Sequence, residues 1–287
     1  MNHQFEDKYY NDARDIVMLI ISTLHEELNE KKNIKVNVDK NKNPTNLNAA
    51  RSHFFKNFFR ENKSIITELF FGVTHKVIKC LKCKMSKHYF DSFDFLLFHL
   101  EKVRQYKLLL AKNQNMMYMQ NNLNAQFQQN LIKINSLENN EVNIYDCFEC
   151  NQMIEYSNEN KSYCDICKTE YSFTYAEFIY SLPNILILIL NRGRGDMYNT
   201  RLEYYMELNL TNFVEAKQNN EIIIYDLIGV IIRLSAGTDV HFIAQCKSPI
   251  DGLWYCFNDS IIYNIQDLER NIFNFGVPYV LFYQRRV

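Results

Sequence analysis

The sequence predicts an α+β fold built on antiparallel sheet. The only long amphipathic helix pattern lies near the N-terminus, and the second half is a succession of strand-like segments. Nowhere do strands alternate with helices as a parallel βα fold requires. The 287 residues, 47 % hydrophobic, suffice for one large domain or two modest ones. With 32 basic and 33 acidic residues the net charge is −1, so no global field draws the chain to nucleic acid or to an anionic membrane. Neither is expected as a partner. No apolar run approaches the roughly 20 residues needed to cross a bilayer. The opening "MNHQFEDKYYNDARD" lacks the charged-then-apolar layout of a signal peptide, so an intracellular protein is expected.

"DARDIVMLIISTLHEELNEKK" reads as an amphipathic helix, with Val17, Ile20, Ile21, Leu24 and Leu28 on one face. Asp12 can cap its start and Asp15 suits its first turn. After the polar linker "NKNPTNLN", "FFKNFFRENKSIITELFFG" suggests a second short helix and a buried apolar segment ending at Gly72. "HKVIKCLKCKMSKHYFDSFDFLLFHL" alternates like strands around a Cys-bearing turn. Residues 105–140, centred on "NQNMMYMQNNLNAQFQQN", are low-complexity and read as an inserted mobile loop, with a marginal helix as the alternative. "DCFECNQMIE" looks like the start of a helix, and "KSYCDICKTEYSFTYAEFIY" like a second Cys turn between strands. "LPNILILILNR" is a continuous apolar run, the mark of a strand buried on both faces. "EIIIYDLIGVIIRL", "VHFIAQCK", "LWYCFND" and "VPYVLFYQRR" are four further strands.

Six of the eight cysteines form three C-x-x-C pairs: Cys80/Cys83, Cys147/Cys150 and Cys164/Cys167. In a reducing compartment such pairs read as metal ligands, and two C-x-x-C turns complete a tetrahedral Zn²⁺ site. Two partitions are open. Cys80/Cys83 can join Cys164/Cys167 through two similar hairpin knuckles, which is preferred, or Cys147/Cys150 can join Cys164/Cys167 locally. A closed four-Cys site is structural because it leaves no open coordination position. Alternatively, some of the pairs are simply small apolar core residues.

In "GTDVHFIAQCKSPIDGLWYCFNDS", His241 opens one strand and Asn258 ends the next. A hairpin joining these strands brings a general base beside an amide that can orient it, the logic of a Cys-His-Asn triad. Asp259 is a second polar candidate. On spacing alone, an ordinary histidine before a strand and an ordinary Asn-Asp turn remain the commoner reading.

The motifs taken in order resemble the ubiquitin-specific protease family of deubiquitinating enzymes over nearly the whole chain. "DARDIVMLIISTLHEELN" resembles the family's D-A-x-E-F and L-H-E-x-L helix, with Asp15 in place of the usual Glu. "SIITELFFG", "IKCLKC", "IYDCFEC", "YCDIC" and "LPNILILILNR" are similar to the segments through the zinc-bearing fingers. "YDLIGVI", "VHFIAQCKSP", "WYCFNDS" and "PYVLFYQR" are similar to the histidine box and the C-terminal strands. The resemblance implies a papain-like hand of fingers, palm and an incomplete thumb, a single domain over 1–287 with fingers at 76–175. It also implies a structural zinc on Cys80, Cys83, Cys164 and Cys167, and no catalytic cofactor. The general base maps to His241, the orienting residue to Asn258 and the neighbouring acid to Asp259. The implied chemistry is thiol hydrolysis of the bond after the C-terminal glycine of ubiquitin, with ubiquitin and ubiquitinated proteins as partners.

Three departures stand out. Val240 occupies the position of a usual Gly, where a side chain narrows a channel for a diglycine tail. Arg233 stands where His is common. No segment matches the family's cysteine box, which precedes the first helix. Cys246 and Cys256 are poor substitutes, since neither stands at a helix N-terminus. The expectation is therefore that the nucleophile is not in this chain. That leaves an active deubiquitinase seen in part, an inactive module that binds ubiquitin, or a zinc-stabilised fragment. A partner is expected to cover the face of helix 12–30.

Overall fold

The computed structural model describes residues 12–31, 45–121, 123–192, 200–218, 220–236, 239–268 and 276–286. Half of the polar linker "NKNPTNLN" (residues 41–44), residues 193–199 after the apolar strand and residues 237–238 lie outside these. The N-terminal pattern forms α1 (Ala13–Leu28). Asp12 caps it, its carboxylate accepting from the Arg14 amide at 2.9 Å. The same carboxylate accepts from the Tyr279 hydroxyl at 2.6 Å, which ties the helix start to the sheet. The expected single apolar face divides. Val17 and Ile21 pack inward, whereas Ile20, Leu24 and Leu28, with Ile16, stay 40 to 53 % exposed. The sheet is reached by only one of the two adjacent apolar stripes.

The next stretch gives two helices, α2 (Leu47–Glu61) and α3 (Ile65–Phe70), capped by Asn46 and Ser64. It then enters β1 (Gly72–Cys80). In a four-stranded antiparallel sheet β1 lies between β2 (Ser86–Phe93) and β6 (Thr169–Ser181), with β5 (Glu155–Cys164) at one edge. At the root of this sheet His75, buried in β1, joins two elements. Its Nδ1 donates to Glu215 at 2.7 Å, which leaves Nε2 to accept from His88 Nδ1 at 3.0 Å. The His75 ring also stacks on Phe90 at 4.7 Å.

The larger sheet has eight strands. Across it run β13 (Ile261–Asn264), β12 (Trp254–Asn258), β11 (Asp239–Lys247), β10 (Ile224–Ala236), β14 (Val277–Arg285), β7 (Ile185–Asn191) and β3 (Leu96–His99). The short β9 (Glu207–Asn209) also pairs with β10. The apolar run is β7, buried on both faces as its composition requires. Leu186, Leu188 and Leu190 face the main core, and Ile187 and Ile189 face a second core under α1 and α3. The sheet is not wholly antiparallel, because β3 runs parallel to β7. A separate parallel pair joins β4 (Glu141–Asn143) to β8 (Arg201–Glu203).

Residues 105–140 are not a loop. They contribute most of α4 (Leu100–Gln120) and all of α5 (Asn124–Glu138). Val103, Lys107, Ala111 and Asn115 repeat every four residues on the buried side of α4, opposite Asn130, Ile134 and Leu137 of α5. Asn130 donates to the Ala111 carbonyl at 2.6 Å and to Asn115 at 3.0 Å. The Asn/Gln-rich composition conceals this stripe because two of its positions are amides and one is lysine. Lys107 reaches α6 (Ile144–Asn151) and bonds Asp146 at 2.7 Å as well as Glu149. Burial works against its ammonium, but those two carboxylates outweigh it and hold its pKa above the ordinary lysine value. Among the described residues, no helix is long and apolar enough to cross a membrane.

Asp146 also completes the capping box with Asn143. Asp146→Ala should therefore cost about 2–4 kcal/mol, since it leaves a buried lysine short of a partner and breaks the cap; urea titration of the variant measures this. Burial and the neighbouring His75 lower the His88 pKa. The folded state thus resists its protonation, and stability present above about pH 6.5 falls as pH drops towards the lowered folded value. His88→Asn keeps a donor for His75 without titrating, so its melting temperature should fall less than that of the wild type between about pH 6.5 and pH 5.

Candidate metal centre and His–Asn pair

The hairpins β1–β2 and β5–β6 end in matching knuckles. Each C-x-x-C turn closes with a lysine in the left-handed region, Lys84 at φ 63 and Lys168 at φ 55. The lysine amide donates to the carbonyl of the first cysteine, Lys84 to Cys80 at 3.0 Å and Lys168 to Cys164 at 2.8 Å. The two knuckles meet. Cys83 Sγ lies 3.5 Å from Cys164 Sγ and Cys80 Sγ lies 4.0 Å from Cys167 Sγ. All four sulfurs fall within 4.8 Å of one another. A zinc tetrahedron with Zn–S near 2.3 Å has S···S edges of about 3.8 Å, so the donor set and its spacing fit Zn²⁺. This is the first of the two partitions.

The electrostatics agree with a site that needs a cation. The Cys164 thiol is lowered to about 6 by the Cys167 and Ile166 amides and by Cys83. Cys167 is raised to about 12 by burial and by its three cysteine neighbours. One thiolate opposes the ionisation of the next, and a shared cation would relieve that opposition. Lys82 and Lys87 supply outer positive charge, Lys82 over the Tyr171 ring and Lys87 paired to Asp165 at 2.7 Å. Cys147 and Cys150 lie elsewhere, buried in α6, where burial pushes both thiols up. Among the described residues they join no metal-capable group.

His241 stands near the start of β11, opposite Leu234 of β10. In the next hairpin Ala244 faces Phe257, so Asn258 at the end of β12 reaches diagonally back. Its Oδ1 lies 2.6 Å from His241 Nε2. An amide oxygen only accepts, so Nε2 carries the proton and Nδ1 keeps a lone pair free to take one. The turn between β12 and β13 consists of Asp259 and Ser260, with Asp259 at φ 51 as a two-residue hairpin demands. That turn holds Asp259 Oδ2 at 3.9 Å from Nε2, mostly in solvent.

All eight cysteines are described and free, and none is a partner of His241. Cys246 is five residues along β11, about 16 Å away and on the opposite face. Burial raises its thiol pKa. Cys256 is fully buried. Val240 lies on β11, but its side chain is outside the described residues. Nothing in the structure assigns a consequence to Arg233. Sequence reasoning missed Lys107, His75, Glu215 and Arg192, whose partners are 8 to 140 positions away. Only an uncommonly placed basic residue inside an apolar stretch marks any of them. Purified under reducing conditions, the protein should carry one zinc per chain. Chelation or Cys80→Ser should lower its melting temperature by several degrees, and metal analysis with calorimetry measures both.

A sequence model of the family described as ubiquitin carboxyl-terminal hydrolase matches residues 1–283. Ubiquitin carboxyl-terminal hydrolase 4 of Pongo abelii is 33 % identical over 152 residues, which is 50 % of this chain and 15 % of that protein. The Drosophila melanogaster enzyme Usp2 is 22 % identical over 291 residues, 99 % of this chain and 26 % of its own. Among solved structures, the Ubp8 deubiquitinating module of SAGA bound to monoubiquitin aligns with all of this chain and 51 % of its own. Its TM-score is 0.65 at 20 % identity. The same module with ubiquitin aldehyde gives a TM-score of 0.61. The chain spans about half of those solved chains and a smaller share of the curated relatives. It belongs to the ubiquitin carboxyl-terminal hydrolase family.

Proposed function

We propose that this chain is the fingers-and-palm part of a cysteine-type deubiquitinase. It would hold ubiquitin and cleave the isopeptide or peptide bond after ubiquitin's C-terminal glycine. The observation that carries this reading is the 2.6 Å bond between His241 and Asn258 on a domain of this family. In that role His241 Nδ1 takes a thiol proton as general base and returns it to the leaving amine. Asn258 fixes the tautomer, and Asp259 adds a second polar neighbour. The attacking thiol comes from outside the eight cysteines described here.

Residues 76–175 form the fingers of a single domain over 1–287, and a zinc on Cys80, Cys83, Cys164 and Cys167 clamps their tips. The outer stripe of α1, Ile16, Ile20, Leu24 and Leu28, is too apolar to remain in water, and another segment or partner covers it. Ubiquitin and ubiquitinated proteins are the ligands, within the cytoplasm or nucleus. A second reading, ubiquitin binding without cleavage, is favoured by one observation: no cysteine partners His241.

Titration of this chain with ubiquitin should show saturable binding under both readings. The chain by itself should not hydrolyse a ubiquitin C-terminal amide, and turnover abolished by Cys246→Ala or Cys256→Ala would sink the assignment of an external thiol. In the native protein containing the chain, His241→Ala should cut turnover by at least about 10²-fold while leaving ubiquitin affinity unchanged. If the native protein binds ubiquitin but shows no turnover, the second reading replaces the first.

A further inference from the structure

Strand β13 closes the eight-stranded sheet on one side, and among the described residues no strand pairs with its outer edge. It joins β12 through the two-residue turn of Asp259 and Ser260, and its register holds without a bulge from the Asn258/Ile261 pair to the Tyr255/Asn264 pair. Bonded and non-bonded pairs alternate along an antiparallel ladder. With Asn258 and Ile261 closing the turn, Ile262 and Asn264 aim their N–H and C=O groups outward. Natural edges are kept from pairing by a lysine, a proline, a bulge or shortness, and β13, Ile-Ile-Tyr-Asn, has only the last. Its side chains are open on both faces. Ile262 lies beside Phe257 on one face, at 60 and 41 % exposure, and Ile261 and Tyr263 lie on the other, at 61 and 43 %. Leu268 and Gly276 both line a cleft beside Pro278 of β14, so the chain has turned away from this edge by Leu268.

The charges around the edge are of one sign. Between Ser248 and Leu268 they are Asp251, Asp259 and Asp267, with no basic residue. The next charges along the chain, Lys247 before and Glu269 and Arg270 after, add only one net positive charge. Asp259 sits in the turn at the Ile261 end, its side chain 80 % exposed. Asp251 stands at the other end. Its carboxylate accepts from the Leu253 amide at 3.0 Å and from the hydroxyl of Tyr255, the residue opposite Asn264, at 2.8 Å. Those bonds hold its pKa below the ordinary carboxylate value, so it is charged at neutral pH. Asp267 follows Asn264 by three residues. Carboxylates thus bracket an apolar strand. A second copy of β13 is a poor occupant, because two-fold antiparallel pairing sets the Asp259 end of one copy against the Asp251 end of the other, acid against acid.

We propose that the outer edge of β13 accepts an added strand from a partner protein, an extended segment of alternating apolar residues with a lysine or arginine at each end. Its main chain bonds to Ile262 and Asn264, its apolar side chains pack beside Phe257, Ile261, Ile262 and Tyr263, and its basic ends meet Asp259 and Asp251. Main-chain pairing supplies the affinity, and the charges at the two ends supply register and specificity. The proposal stands apart from the catalytic reading, since it requires neither turnover nor ubiquitin binding.

The test is fluorescence anisotropy of the chain with a labelled, end-capped peptide Lys-Thr-Val-Thr-Val-Thr-Lys, long enough to pass both ends of the four-residue β13. Two comparison probes are the same peptide with Glu at both ends, and the lysine peptide N-methylated at two adjacent central residues, which blocks both of its edges. The lysine peptide should bind at least about tenfold more tightly than the glutamate peptide, and about 0.5 M salt should erase most of that preference. N-methylation should abolish binding. Ile262→Pro removes one outward N–H while sparing the ladder to β12, and should abolish binding in a folded protein. Saturating ubiquitin should leave the lysine peptide bound. Equal affinity for the two charged peptides, no binding of the lysine peptide, or binding retained after N-methylation or in Ile262→Pro would overturn the proposal. Displacement by ubiquitin would also overturn it, by making the edge part of the ubiquitin site. Self-association of the chain that Ile262→Pro removes would overturn it in favour of a second copy. The peptide comparison in the wild type decides the matter even if Ile262→Pro fails to fold.

Discussion

Strand β7 is buried on both faces, and every other layer takes its place from that condition. Its leucines face the main core and its isoleucines face the smaller core beneath α1 and α3. A strand of this kind cannot lie at an edge or face water, so β14 and β3 must flank it and a helical layer must cover each side. Once β14 is placed, β10 and β11 follow by antiparallel pairing, and with them the position of His241. The location of the His–Asn pair is thus a remote result of a run of apolar residues about fifty positions upstream.

The four grouped cysteines and the His–Asn pair are held by local backbone rather than by the core. Lys84, Lys168 and Asp259 all occupy the left-handed region, and each closes a tight turn next to a ligand or to the histidine. Asp tolerates this region while each lysine costs about 1–2 kcal/mol there, and such turns fix side-chain direction within a few atoms of the chain. The core sets where the hairpins lie, and the turns set where their tips point.

This division explains what could be read from the sequence. C-x-x-C spacing, the histidine before a strand and the Asn-Asp turn are local signatures, and all of them were legible. The continuous apolar run of β7 was equally plain. For residues 105–140 the loop reading fails and the helical alternative holds, because helix formation there rests on a stripe of Val103, Lys107, Ala111 and Asn115, which composition does not reveal. The sequence places Val17, Ile20, Ile21, Leu24 and Leu28 on one face of α1, whereas of these the surrounding layer reaches Val17 and Ile21. Arg192 could not be recognised as a buried anchor from its own neighbours, because its partners are the carbonyls of Thr200 and Pro278.

The meeting of the two knuckles bears on how the chain tolerates added length. Cys83 and Cys164 lie 81 positions apart, and α4 and α5 fill about half of that interval. A metal joining the knuckles therefore closes a loop that the helical hairpin has roughly doubled. The entropy of closure grows only with the logarithm of loop length, so doubling costs about 0.6 kcal/mol. The Lys107–Asp146 contact alone is of comparable size or larger. A hairpin that arrives with one buried charge contact to the palm offsets its own topological cost. Between metal-clamped ends, the region is open to acquiring structure without loss of the fold around it.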